Sequence, residues 1–146
     1  MDPDFADALN QGIRLLSLRH RARAAQLLAP LGLHVGQEAV LLELDRTGPL
    51  IQAQLSEALG CEPPSVTLMN RKLEASGYIR RTPDPNDKRA TLVALTDSGK
   101  ALADQVRQLW VTLAEETVRD LPAGAMRQLP GILHTMSTNV GGRPSA

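Results

Sequence analysis

Cysteine is almost absent from this 146-residue chain: Cys61 stands alone. No disulfide can close within the chain, which excludes a disulfide-stapled scaffold and suits a reducing compartment. Aromatic residues are as scarce, with Phe5, Tyr78 and Trp110 the whole complement, too few for the stacking platforms that hold single-stranded nucleic acid. No apolar run approaches the ~20 residues that cross a bilayer, and the start, MDPDFADALNQGIRLL, lacks a basic leader followed by an apolar stretch. No membrane association is expected, and the cytoplasm is the expected location. His20, His34 and His134 lie far apart with no metal-binding spacing, so no metal site is expected. A GlyxSerxGly elbow, a glycine-rich phosphate loop and a supported cysteine nucleophile are all missing, so neither catalysis nor a cofactor is expected.

An excess of either charge is also lacking, since 16 basic residues balance 16 acidic ones. That balance argues at first against nucleic acid, whose phosphates are neutralised by lysine and arginine. The distribution says otherwise. Between Arg71 and Arg89, six basic residues (Arg71, Lys72, Arg80, Arg81, Lys88, Arg89) face three acidic ones (Glu74, Asp84, Asp87). The chain is 42% hydrophobic and 22% charged, the composition of one ordinary folded domain spanning residues 1–146.

Apolar spacing predicts a mainly α fold with a small β-hairpin. A long helix is expected from Asp4 to about Leu28, ended by Pro30 and Gly32, and a second from about Gly36 to Asp45. Leu50-Ile51 reads as a brief strand, Gln52 to Leu59 as a short helix closed by Gly60, and Pro63 to about Ser76 as the next helix. Glu62 is the expected cap of that helix, and Gly77 its end. Tyr78 to Arg81 and Thr91 to Leu95 read as strands joined by a loop from Thr82 to Ala90. Thr96 is the expected cap of a helix running to Leu121, where Pro122 stops it. A last helix is expected from about Ala123 to Val140, with Pro130-Gly131 kinking or interrupting it.

Projected at 3.6 residues per turn, the Pro63–Ser76 segment sets Val66, Met69, Asn70 and Leu73 on one side. Pro64, Leu68, Arg71 and Ala75 fall on the other, flanked by Ser65, Thr67 and Lys72. One face anchors and the other is small, polar or basic, the division a helix needs to lie in a major groove about 12 Å wide. Ser65, Thr67 and Arg71 are the expected hydrogen-bonding readers, and Leu68 is placed for a thymine methyl. The loop beyond carries Lys88 and Arg89 past Asp84-Pro85-Asn86-Asp87, a cationic tip suited to a minor groove. Asp87 has the wrong charge for that task, and is expected to hold Arg89 or a neighbouring basic side chain by a charge-assisted hydrogen bond.

Four segments together resemble the MarR (multiple antibiotic resistance regulator) family of winged helix-turn-helix regulators. They are Leu31-Gly32 before the second helix, QAQLSEALGCEPPSVTLMNRKLEASGYIRR, the wing DPNDKRA, and LTDSGKAL opening the fifth helix. The resemblance covers nearly the whole chain. It implies a homodimer interlocked through residues 1–34 and 97–140, with a winged helix-turn-helix lobe at 50–96 binding double-stranded DNA at a pseudo-palindromic operator. By similarity the recognition helix offers Pro64, Ser65, Thr67, Leu68, Arg71 and Lys72, and the wing offers Asp84, Asp87, Lys88 and Arg89. Ile51 and Lys88 depart from the family, which often has Ser or Thr and arginine at those places. Members commonly act as repressors released by a small phenolic or anionic effector held in a crevice between dimerisation helices and reading lobe. Arg14, His20 and Trp110 are candidates for such a crevice, although a Trp on an apolar helical stripe is more often core. Peroxide-sensing relatives carry a cysteine in the first helix, where this chain has none, so Cys61 is a poor redox sensor. The competing reading is a winged-helix protein-interaction module without DNA binding.

Overall fold

The computed structural model describes residues 1–141 and divides them into two compact units, Met1–Leu113 and the segment from Ala114 onward. The first unit contains α1 (Pro3–Leu28), a 3-10 turn (Ala29–Leu31), α2 (Gln37–Thr47), β1 (Leu50–Ile51), α3 (Gln52–Leu59), α4 (Pro63–Ala75), β2 (Ile79–Pro83), β3 (Thr91–Leu95) and most of α5 (Asp97–Val118). The second contains the end of α5 and all of α6 (Ala123–Val140).

Local chemistry sets the boundaries. Asp2 caps α1 by accepting from the Phe5 N–H at 3.2 Å, and Pro3 occupies the first turn, where its missing N–H costs nothing. Gly32, at φ +72°, turns the chain out of the first helix. Ile51 has no acceptor to offer at the start of α3, so only the reciprocal half of a capping arrangement forms: the side-chain Oε1 of Gln54 accepts from the Ile51 N–H at 3.1 Å. Glu62 holds the expected position before α4 but makes no capping hydrogen bond with its side chain.

Three antiparallel strands form the sheet in the order β1-β3-β2, with Leu50 opposite Val93 and Arg81 opposite Val93 on the other side. The expected hairpin is therefore extended by β1. The second strand also runs two residues further than the sequence suggested, to Pro83, because pairing with Thr91 and Leu92 continues past Arg81. Only 84–90 remains as the wing tip. The core joins Leu28, Leu41, Leu44, Leu55, Val66, Leu73, Ile79, Val93 and Val106, all buried. Trp110 is partly buried against this cluster, as its place on an apolar stripe suggested.

Two expectations at the C-terminal end need correction. Helix α5 stops at Val118, three residues before Leu121, and Asp120 adopts φ +69° ahead of Pro122. The last helix, α6, runs unbroken through Pro130. A proline ring removes one hydrogen bond and crowds the preceding turn, but a helix can continue past both. None of the 18 residues of α6 is buried, and Met126, Ile132, Leu133 and Val140 are exposed apolar side chains. No helix among the described residues is long and apolar enough to cross a membrane.

Candidate nucleic-acid interface

The helix pair α3–α4 turns on Gly60, whose φ of +63° is costly for any residue with a Cβ. Beyond it, Pro63 and Pro64 fill the first turn of α4. Val66, Asn70 and Leu73 are buried and Met69 is half-buried, so the anchoring face is the one the spacing assigned. Pro64, Ser65, Leu68, Arg71 and Lys72 are exposed, with Leu68 at 55% of its full surface. More than half of this apolar side chain is open to solvent, on a helix packed by its opposite face. Among the described residues, no ion pair engages Arg71 or Lys72.

Thr67 differs from its neighbours. It is half-buried on the flank of α4 facing α3, donates its hydroxyl proton to the Pro63 carbonyl at 3.0 Å, and accepts from Gln52 Nε2 at 2.8 Å. Gln52 Oε1 in turn faces Asn70 Nδ2 at 3.4 Å. The sequence placed Thr67 among the outward readers, but the structure gives its only proton to its own helix. Helical projection put Thr67 at the edge of both faces, and the neighbour that claims it lies 15 residues away.

The wing tip is held by its backbone. Asp84 N–H donates to the Ala90 carbonyl at 2.9 Å, and Ala90 N–H to the Asp87 carbonyl at 2.9 Å, which makes Lys88 and Arg89 the central pair of a turn. Asp87 Oδ1 accepts from the Arg89 backbone N–H at 3.0 Å. The carboxylate thus shapes the turn, as aspartates commonly do, rather than gripping a basic side chain as the sequence suggested. Asp84 is buried and faces away from solvent, whereas Asp87, Lys88 and Arg89 are exposed. At the base of the wing, Arg81 joins Glu74 twice, from its backbone N–H at 3.1 Å and its guanidinium at 2.9 Å. That hydrogen-bonded guanidinium holds the Glu74 carboxyl below its ordinary pKa. The sequence offered only opposite charges seven residues apart as a hint of this pair.

A recess lies elsewhere on the first unit, lined by Leu18, Arg21, Ala22 and Ala25 of α1 with His34 and Val35 of the turn before α2. Arg14 and His20 are exposed on α1 and take no part in it, and Trp110 packs partly buried against the core. Beside the recess the buried Glu38 accepts from the Gly36 N–H at 2.6 Å. Burial pushes its carboxyl above the ordinary range, against smaller opposing effects of that hydrogen bond and of the Arg21 charge.

An anchored helix with an open, basic face beside a cation-tipped hairpin is the geometry of a winged helix-turn-helix. Residues 33–91 match the family model described as MarR family. The HTH-type transcriptional regulator YwoH of Bacillus subtilis is 31% identical over 112 residues, covering 77% of this chain and 78% of that protein. The multiple antibiotic resistance protein MarR of Escherichia coli is 31% identical over 109 residues, covering 74% and 76%. The chain belongs to the MarR family of transcriptional regulators. The fold agrees: a cysteine-to-serine variant of E. coli MarR complexed with operator DNA superposes with a TM-score of 0.81 at 27% identity, covering 93% of this chain and 99% of that one. This MarR-family chain is mainly α with a three-stranded wing sheet, and its relatives regulate transcription, a class of work that needs no catalysis.

Proposed function

We propose that this MarR-family protein acts in the cytoplasm as a dimeric, sequence-specific repressor that reads a pseudo-palindromic operator in double-stranded DNA. One observation carries the reading: α4, packed through Val66 and Leu73, leaves Leu68 and Arg71 open to solvent, while the same sheet presents Lys88 and Arg89 at a turn. Arg71 supplies bidentate donors for a guanine edge, Leu68 an apolar contact for a thymine methyl, and Ser65 and Lys72 flanking polar contacts. Lys88 and Arg89 neutralise phosphate or enter the neighbouring minor groove. The protein-interaction alternative is not favoured, because it leaves these exposed cations without work.

Residues 50–96 form the reading lobe, and 1–34 with 97–140 the dimerisation helices. Support for the second part comes from exposed apolar surface. Phe5, Leu9, Ile13 and Leu16 form one exposed stripe along α1, and among the described residues no side chain of α6 is fully buried. Single helices in water are marginal, and contiguous apolar faces mark interfaces. A second copy covering both stripes would set two recognition helices about 34 Å apart, one turn of DNA. For an effector, the recess at Arg21 and His34 offers a cation and an imidazole over an apolar floor, which suits a small phenolic or anionic molecule.

The test is a selection from random duplexes with purified protein, repeated with Arg71→Ala. The wild type is expected to return a palindrome with about ten base pairs between half-site centres, and Arg71→Ala to lose ~1–3 kcal/mol of discrimination at one position per half-site. Selection of no sequence, with binding insensitive to salt, would overturn the reading.

A further inference from the structure

We propose that Gln52, the first residue of α3, is a positioning residue for DNA specificity: it fixes the roll of α4 about its axis and withdraws Thr67 from base reading. The proposal rests on the DNA-reading function above and deepens it. Thr67 and Glu74 are seven residues apart, two helical turns less ~20°, so they share a flank of α4 about 10 Å from one another along the axis. Each is held from outside the helix. Gln52 Nε2 donates to Thr67 at 2.8 Å near the N-terminal end, and Arg81 donates twice to Glu74 at 2.9 and 3.1 Å near the C-terminal end.

A helix packed only through apolar side chains can roll by several degrees at little cost, because dispersion and burial are not directional. Hydrogen bonds are directional and bring two defined atoms together. Three of them on one flank, anchored at its opposite ends, stop that roll. The Gln52 end lies deeper than it looks: Gln52 Oε1 also faces Nδ2 of Asn70, which is wholly buried and whose Oδ1 has no partner among the described residues. Gln52 therefore holds the helix from its flank and from its buried face together. With the roll fixed, Leu68 and Arg71 point outward, and the Thr67 proton stays on the Pro63 carbonyl. Base reading then falls to Ser65, Leu68, Arg71 and Lys72.

Random-duplex selection with wild type, Gln52→Ala, Gln52→Met and Thr67→Val tests this, with thermal unfolding of each variant alongside. Gln52→Met keeps the length and bulk of the side chain, so it serves if Gln52→Ala fails to fold. Both Gln52 variants are expected to weaken binding to the wild-type operator about tenfold and to broaden the base preference at positions under α4. Preference at positions under the wing, and the salt dependence, should stay as in wild type, because phosphate contacts are untouched. Thr67→Val, which removes the oxygen that accepts from Gln52, should broaden the base preference under α4 as the Gln52 variants do. Unaltered preference in Gln52→Met, or a uniform loss at every position that tracks lost thermal stability, would overturn the proposal. A loss of preference in Thr67→Val confined to one base position, with the other positions under α4 as in wild type, would overturn it as well, by making Thr67 a reader. If the wild type selected no sequence at all, the DNA-reading function would fall first, and that outcome is distinguishable from the others.

Discussion

Replacing Gly99 with alanine tests the joint between the recognition helix and α5. Gly99 is buried in the first turn of α5, and a Cβ built on it would sit 2.0 Å from the Tyr78 carbonyl oxygen. Ordinary contact begins at 3.4 Å, so the two backbones must part by roughly 1.4 Å, a shift a close-packed interior does not absorb freely. The carbonyl cannot swing aside, because it accepts from the Thr96 N–H at 3.1 Å. Thr96 is pinned in turn: its hydroxyl donates to the Gly77 carbonyl at 2.6 Å and accepts from the Gly99 N–H at 3.0 Å, capping α5. Overpacking of this kind costs ~1–3 kcal/mol, and the strained Thr96–Tyr78 bond adds about 1 kcal/mol. Alanine returns at most about 1 kcal/mol through helix propensity. The net expectation is a loss of roughly 2 kcal/mol, or about 5 °C in melting temperature. Urea unfolding at fixed protein concentration measures it, since the midpoint of a dimer shifts with concentration. Gly124→Ala is the control, because nothing lies within 4 Å of the Cβ that would be added there, and it is expected to be neutral or slightly stabilising. Equal stability of Gly99→Ala and wild type would refute the close approach.

Three further outcomes are expected. Arg89→Ala should weaken binding to all duplexes by a similar factor and lower the slope of log affinity against log salt by about 1.8, as loss of one phosphate contact from each protomer of a dimer requires; a loss confined to one sequence would instead make Arg89 a base reader. Glu38 has a pKa raised by burial in the folded state, so its contribution is fully present below the unfolded pKa and is lost as pH rises through the folded one. Glu38→Gln, which keeps an acceptor for the Gly36 N–H, should therefore gain on wild type in stability between pH 5 and 8, and the gap should close below about pH 4. A pH-independent gap would contradict this. Leu133→Arg places a charge on the exposed stripe of α6, and sedimentation should find monomers where the wild type gives dimers.

The extents of α1 to α4 and of α6, the outward place of Leu68 and Arg71, and the strand Thr91–Leu95 were legible in the sequence, because each follows from local periodicity and from glycine or proline punctuation. Thr96 likewise announced a capped helix. What the sequence could not carry are the meetings between distant residues. Gln52 on Thr67, Arg81 on Glu74, and the Tyr78 carbonyl against Gly99 depend on how α3, β2 and α5 pack round α4. The wing gives the plainest case: a carboxylate beside cations suggested an ion pair, yet in the folded turn the nearest donor to Asp87 is a backbone N–H. Periodicity assigns a side chain to a face, but only tertiary packing decides which atom reaches it first.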